Sequence, residues 1–190
     1  MIRIAQAVLA ASGEDRVASV RTADGFILAV ADGSGGMSGG AAAAELAVRM
    51  VSEGRAPWAE VIRRVDAALN GGQCALLIAA IAGTKIAGAS VGDCGAWLIG
   101  EQVEELAARQ VRKPLAGSRK ATPVAFESEL GAATLLLASD GLFNYARREQ
   151  ILEVARGTDL DAAANALASL PRMRSGALPD DVSVILCRSV

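Results

Sequence analysis

Three apolar runs follow one another at residues 73–82, 85–91 and 95–99, with two or three residues between them. Connections that short can join antiparallel strands but not parallel ones, which need a crossover of a dozen residues or so. The same pattern recurs near the N-terminus, where residues 17–22 and 26–31 flank Ala23-Asp24-Gly25. Asp-Gly between two β-prone runs is a hairpin signal, and Asp24 is read as a turn residue only. Residues 2–10, 123–128, 134–138 and 182–187 also read as strands, and 101–109 can carry one more short one. Helices are predicted over 40–52, with Leu46, Met50 and Val51 on one face, and over 57–69, with Val61, Ile62 and Val65 as the stripe. Two more are predicted over 147–156 and 159–170, the last capped by Thr158 or Asp159. Residues 110–122 are basic and turn-rich and read as a surface loop. The order is strands, two helices, strands, two helices, strand: an α+β chain of mainly antiparallel sheets with helices on their outer faces.

Length and composition narrow the possibilities. The 190 residues suffice for one domain with a sizeable core, expected to span 1–190. Hydrophobic residues make up 52%, which argues against disorder, while aromatics are only 3%, so the core must be built from Ala, Val, Leu and Ile. Net charge is −2 without a basic run that could track phosphates, so no nucleic-acid partner is expected. No run approaches the ~20 apolar residues needed to span a bilayer, and residues 1–10 read as a strand, not a signal peptide. Cys74, Cys94 and Cys187 are odd in number and lack paired spacing, which suits reduced thiols and a cytoplasmic setting. None of them opens a Cys-x5-Arg phosphate loop. The chain has no histidine, which removes His bases, His nucleophiles and His-bearing zinc sites.

Four acidic motifs stand beside apolar runs: Gly13-Glu14-Asp15-Arg16, Ala31-Asp32-Gly33-Ser34-Gly35-Gly36, Ser139-Asp140-Gly141-Leu142 and Pro179-Asp180-Asp181-Val182-Ser183. A carboxylate next to strand-forming residues is expensive to bury unless something neutralises it. Several of them, without histidine or paired cysteine, point to one oxygen-only site for a hard divalent cation, Mg²⁺ or Mn²⁺. In Asp32-Gly33 and Asp140-Gly141 the glycine is expected to let the chain turn sharply where a strand ends. Taken singly, each Asp-Gly is first a turn signal.

In their order, these motifs together with Val91-Gly92-Asp93-Cys94 resemble the type 2C metal-dependent protein serine/threonine phosphatases, over essentially the whole chain. The resemblance implies a four-layer α-β-β-α sandwich with metals in a cleft between the sheets. It implies hydrolysis of phosphoserine or phosphothreonine in a protein substrate by metal-activated water, with two Mg²⁺ or Mn²⁺ ions, or three. Asp32 would bridge two ions, the Gly33 carbonyl would complete one of them, and Asp140 and Asp180 would hold the first ion with Asp32. Glu14 and Asp15 would serve the second, and Asp93 with Asp140 a third. Asp181 would be the hydrogen-bonded neighbour of Asp180.

The chain departs from the family pattern in three places. Ala10 stands where members usually carry an arginine that clamps the substrate phosphate, which leaves Arg16 as a candidate phosphate-binding residue. Cys94 stands at the serine of Gly-Asp-Ser, and reads as a buried strand thiol. The segment between Asp93 and Asp140 is short, so the flap beside the cleft is reduced to a loop around 112–120. Two alternatives to a protein phosphatase stay open: a catalytically weak phosphoprotein-binding regulatory domain, and a phosphatase of small metabolites.

Overall fold

The computed structural model describes residues 1–34 and 39–189. Its strands are β1 (Ile2–Leu9), β2 (Arg16–Arg21), β3 (Gly25–Ser34), β4 (Gln73–Ala82), β5 (Lys85–Val91), β6 (Gly95–Ile99), β7 (Val103–Glu105), β8 (Val124–Glu129), β9 (Thr134–Ala138) and β10 (Val182–Ser189). Its helices are α1 (Gly39–Ser52), α2 (Trp58–Ala68), α3 (Asp140–Tyr145), α4 (Arg148–Ala155) and α5 (Leu160–Ser169). The strands form two five-stranded sheets, ordered β1-β10-β9-β6-β7 and β2-β3-β4-β5-β8, and every pairing is antiparallel.

The central strands are apolar on both faces because each sheet is covered twice. Leu28 and Val30 of β3, Leu77 and Ile81 of β4, Leu135 and Leu137 of β9 and Ile185 of β10 meet between the sheets. Their strand neighbours face outward. Ile27, Ala29, Leu76 and Ile78 pack under α1 and α2, while Leu136, Val184 and Leu186 pack under α3, α4 and α5. Period-two alternation thus sends each strand's residues into two different cores, and each fully buried leucine contributes about 2–3 kcal/mol. Among the described residues no helix is long and apolar enough to cross a membrane.

Some local expectations needed correcting. The strand expected to end at Asp32-Gly33 continues to Ser34, paired through Gly33 with Cys74. Helix α1 buries Ala43, Ala44, Ala47, Val48 and Val51, while Leu46 and Met50 are half-buried; the small side chains let the helix lie close against the sheet. Residues 140–145 form the short helix α3, where the sequence suggested a turn. The loop at 110–122 is fastened to the body: Cys74 and Ala116 form a two-way backbone bridge, and buried Asp66 of α2 accepts from the backbone N–H of Gly117, Arg119 and Ala121 at 2.7, 2.8 and 3.2 Å. The Gly35-Gly36 part of the second acidic motif lies outside the described residues.

Candidate metal centre

Strand register brings five distant segments to one end of the sandwich. Asp32 continues the face of Leu28 and Val30, so its carboxylate emerges where the layer between the sheets opens. It pairs with Ala75 at the start of β4, and Leu76 in turn pairs with Val91 at the end of β5, which places the turn carrying Asp93 at the same end. Gly95 pairs with Ala138, so the start of β6 lies beside the end of β9 and the first residue of α3, Asp140. Val182 pairs with Leu9, which brings Asp180 and Asp181 to the exit of β1 and the segment bearing Glu14 and Asp15.

Carboxylate oxygens of Asp32, Asp93 and Asp140 all lie within 4.8 Å of one another, each residue half-buried. Glu14, Asp15 and Asp180 fall outside that trio but around it. Asp180 acts electrostatically on both Asp140 and Asp15, and Asp15 acts on Asp32. The Glu14 carboxylate lies against Gly40 in the first turn of α1. Asn144 donates to Asp140 at 2.8 Å, and Phe143 packs on Trp97 at 4.8 Å between ring centroids, which fixes α3.

Burial and crowding distort the ionisation of this group. Loss of solvent, then the charges of Asp15 and Asp140, push the Asp32 carboxyl up to about 9. Burial, then Asp93, raise Asp140. Asp15 is raised to about 6, chiefly by burial, with Ser139 and Ser183 pulling the other way. Asp15 Oδ2 is buried without a hydrogen-bond partner among the described residues. Acids packed in this way fit a hard divalent cation, which would reverse each shift and satisfy the orphaned oxygen. An all-oxygen donor set also fits Mg²⁺ or Mn²⁺. Cys94, fully buried beside the group, is held as a thiol by burial and by the surrounding acids, Asp32 foremost.

The segment that delivers Glu14 and Asp15 is held by a residue to which the sequence assigned a lesser role. Buried Asp181 accepts from the backbone N–H of Ala11, Ser12, Gly13, Glu14 and Asp15 and from the Ser12 hydroxyl. That concentration of donors holds its carboxyl far below the ordinary range despite burial. Its own N–H donates to Asp180 at 2.9 Å. Only an acid before a strand is visible in the sequence; its five donors come from the other end of the chain.

The glycines after Asp32 and Asp140 serve close approach, where sharp turns were expected. A Cβ on Gly33 would run into the Gly40 carbonyl and come within 2.8 Å of the Glu14 carbonyl; one on Gly141 would strike the Asp181 carbonyl. Arg16 has its guanidinium taken up by Glu45 at 2.9 Å and by the carbonyls of Gly13 and Asp15 at 3.0 and 2.7 Å. Ala10 is exposed, just past the end of β1.

No protein-family model matches the sequence, and no curated protein does. Solved structures match along the whole chain. The S. agalactiae serine/threonine phosphatase superposes with a TM-score of 0.85 at 19% identity, covering 100% of both chains. Mycobacterium tuberculosis serine/threonine phosphatase PstP gives 0.82 at 22% identity, covering 98% of each. A catalytic domain of PstP in complex with two manganese ions gives 0.81 at 21% identity, covering 98% of this chain and 97% of that one. The fold is therefore that of the bacterial type 2C serine/threonine phosphatases, two antiparallel five-stranded sheets between helices.

Proposed function

We propose that the chain is a Mg²⁺- or Mn²⁺-dependent phosphatase acting on phosphoserine or phosphothreonine in proteins. The observation that carries this reading is the Asp32, Asp93 and Asp140 trio, three half-buried carboxylates whose oxygens lie within 4.8 Å of one another. Asp32 would serve two ions, one of them completed by the Gly33 carbonyl; Asp140 and Asp180 would hold the first with it, Glu14 and Asp15 would serve the second, and Asp93 with Asp140 a third. Bound there, such ions neutralise phosphate charge and acidify a water. The chain's own part is to present these acids rigidly: Asp181 orders the 11–15 segment, and α3 orients Asp140.

The net reaction puts the oxygen of water on phosphorus while the bond from phosphorus to the seryl or threonyl oxygen breaks. The departing oxygen keeps the electron pair and takes a proton. Histidine and cysteine nucleophiles are excluded: the chain has no histidine, and Cys94 is buried and held as a thiol. Likeness to protein phosphatases supports a protein substrate. If the 110–122 loop is all that stands in for a flap, the choice of substrate would fall to surfaces around the cleft.

Turnover of an aryl phosphate should require Mn²⁺ or Mg²⁺ and stop with chelator. Phosphopeptides should then exceed small phosphorylated metabolites in kcat/KM. A preference for metabolites would transfer the reading to the small-molecule alternative, and no turnover with any of them would overturn it.

A further inference from the structure

We propose that Arg112 is the residue that grips the substrate's phosphoryl group, an assignment that rests on reading the carboxylate trio as a metal-dependent phosphatase centre. Among the described residues Arg112 is the one basic side chain in ion-pair contact with a member of the trio: its Nε and Nη2 lie 3.3 and 3.1 Å from Asp93 Oδ2. Both bonds use one edge of the guanidinium and end on one oxygen. Nη1 makes no hydrogen bond among the described residues, so the end formed by Nη1 and Nη2 remains a fork of N–H groups. That fork matches two oxygens of a phosphate dianion. Arg112 can therefore hold phosphate while keeping Asp93.

The side chain is exposed but its backbone is fixed. Arg112 is 70% exposed against 27% for Asp93, so the pair is open to solvent on the arginine side and is not a buried structural bridge. Two hydrogen bonds sew the preceding residues to the turn that carries Asp93. Gly92 N–H donates to the Val111 carbonyl at 3.1 Å, and Gln110 Nε2 donates to the Cys94 carbonyl at 2.7 Å. The main chain leading into Arg112 is thereby positioned beside Asp93, which lowers the backbone ordering cost of binding. The other candidates do not compete: position 10 is alanine, and the Arg16 guanidinium is taken up by Glu45 and two carbonyls.

The test compares the unaltered chain with Arg112→Ala, Arg112→Lys and, as a charge-matched control on the neighbouring surface, Arg109→Ala. Each is loaded with Mn²⁺; calorimetry measures Mn²⁺ affinity and stoichiometry, then the affinity for inorganic phosphate, and kinetics give kcat and KM on a phosphopeptide. Arg112→Ala should weaken phosphate binding and raise KM by about tenfold or more, with Mn²⁺ binding no weaker. Arg112→Lys should recover only part, because it restores charge without the fork, and Arg109→Ala should match the unaltered chain. The proposal is overturned if Arg112→Ala leaves phosphate affinity and KM within twofold, or if the whole change tracks lost Mn²⁺. The two readings fail separately. A chain that binds Mn²⁺ and phosphate but turns over no ester sinks the enzymatic reading, while the calorimetric comparison still decides Arg112.

Discussion

Asp181 carries more of the local architecture than any acid in the trio. One carboxylate satisfies five consecutive backbone donors, and no neighbouring residue is placed to replace it. Asp181→Ala should cost roughly 3 kcal/mol or more, since it strands several buried N–H groups at once; chemical denaturation reads the loss directly. Its folded pKa is depressed, so its contribution is present at neutral pH and lost as pH falls below the ordinary carboxylate range. Asp32 has the opposite sign. Its carboxyl is raised from 3.8 to about 9, so between those values the folded, metal-free protein keeps a proton that the unfolded chain releases. Stability must then fall as pH rises through that window, with Asp15 adding to the fall up to about 6. Melting in chelator from pH 5 to 9 should show this decline, and Asp32→Asn should flatten it; an unaltered slope in the variant would contradict the assignment. Asp24→Asn, on an exposed hairpin turn, should change neither stability nor activity.

At the scale of elements, the loop at 110–122 shows how the fold presents Arg112. Asp66 reaches from α2 to three of its backbone donors, and Arg119 adopts a left-handed φ of 61° to offer one of them. Asp66→Ala should free the loop, costing about 2 kcal/mol, and open it to trypsin at Arg119 and Lys120. Limited proteolysis that leaves the variant as resistant as the unaltered chain would contradict this account. The sheets were readable because hairpin connections and twice-covered strands leave plain marks: 73–82, 85–91 and 95–99 match β4, β5 and β6. Helix α2 showed its Val61, Ile62 and Val65 stripe, and Asp159 caps α5 through the N–H of Ala162. Helix α3 was not readable, since six residues are too few to display a helical period and Ser-Asp-Gly also spells a turn. The buried face of α1 was read in part: Val51 lies in it and Leu46 and Met50 flank it half-buried, but hydrophobic size could not show that close approach puts alanines at its centre. Asp66 left no sequence signal, and Asp181 showed only as an acid beside Asp180: the main role of each is defined by backbone donors that only the folded chain brings to it.

For the molecule as a whole, the candidate site exists only after both sheets have formed. Asp32 and Asp93 come from one sheet's strand ends and Asp140 and Asp180 from the other's, so site and stability should be coupled. A ligand confined to the folded state stabilises by mass action, about 2.7 kcal/mol at a hundredfold excess over its Kd. Millimolar Mn²⁺ should accordingly raise the melting temperature over that in chelator, and an identical melt would argue against a metal site. The central claim is that the Asp32 cluster holds the ions that drive phosphoester hydrolysis. Its most direct test is phosphopeptide turnover by the unaltered chain and by Asp32→Asn, each at saturating Mn²⁺ and each confirmed folded. The first should show Mn²⁺-dependent turnover and the second should lose it by about a hundredfold to a thousandfold; equal turnover in the two would overturn the metal-centre reading.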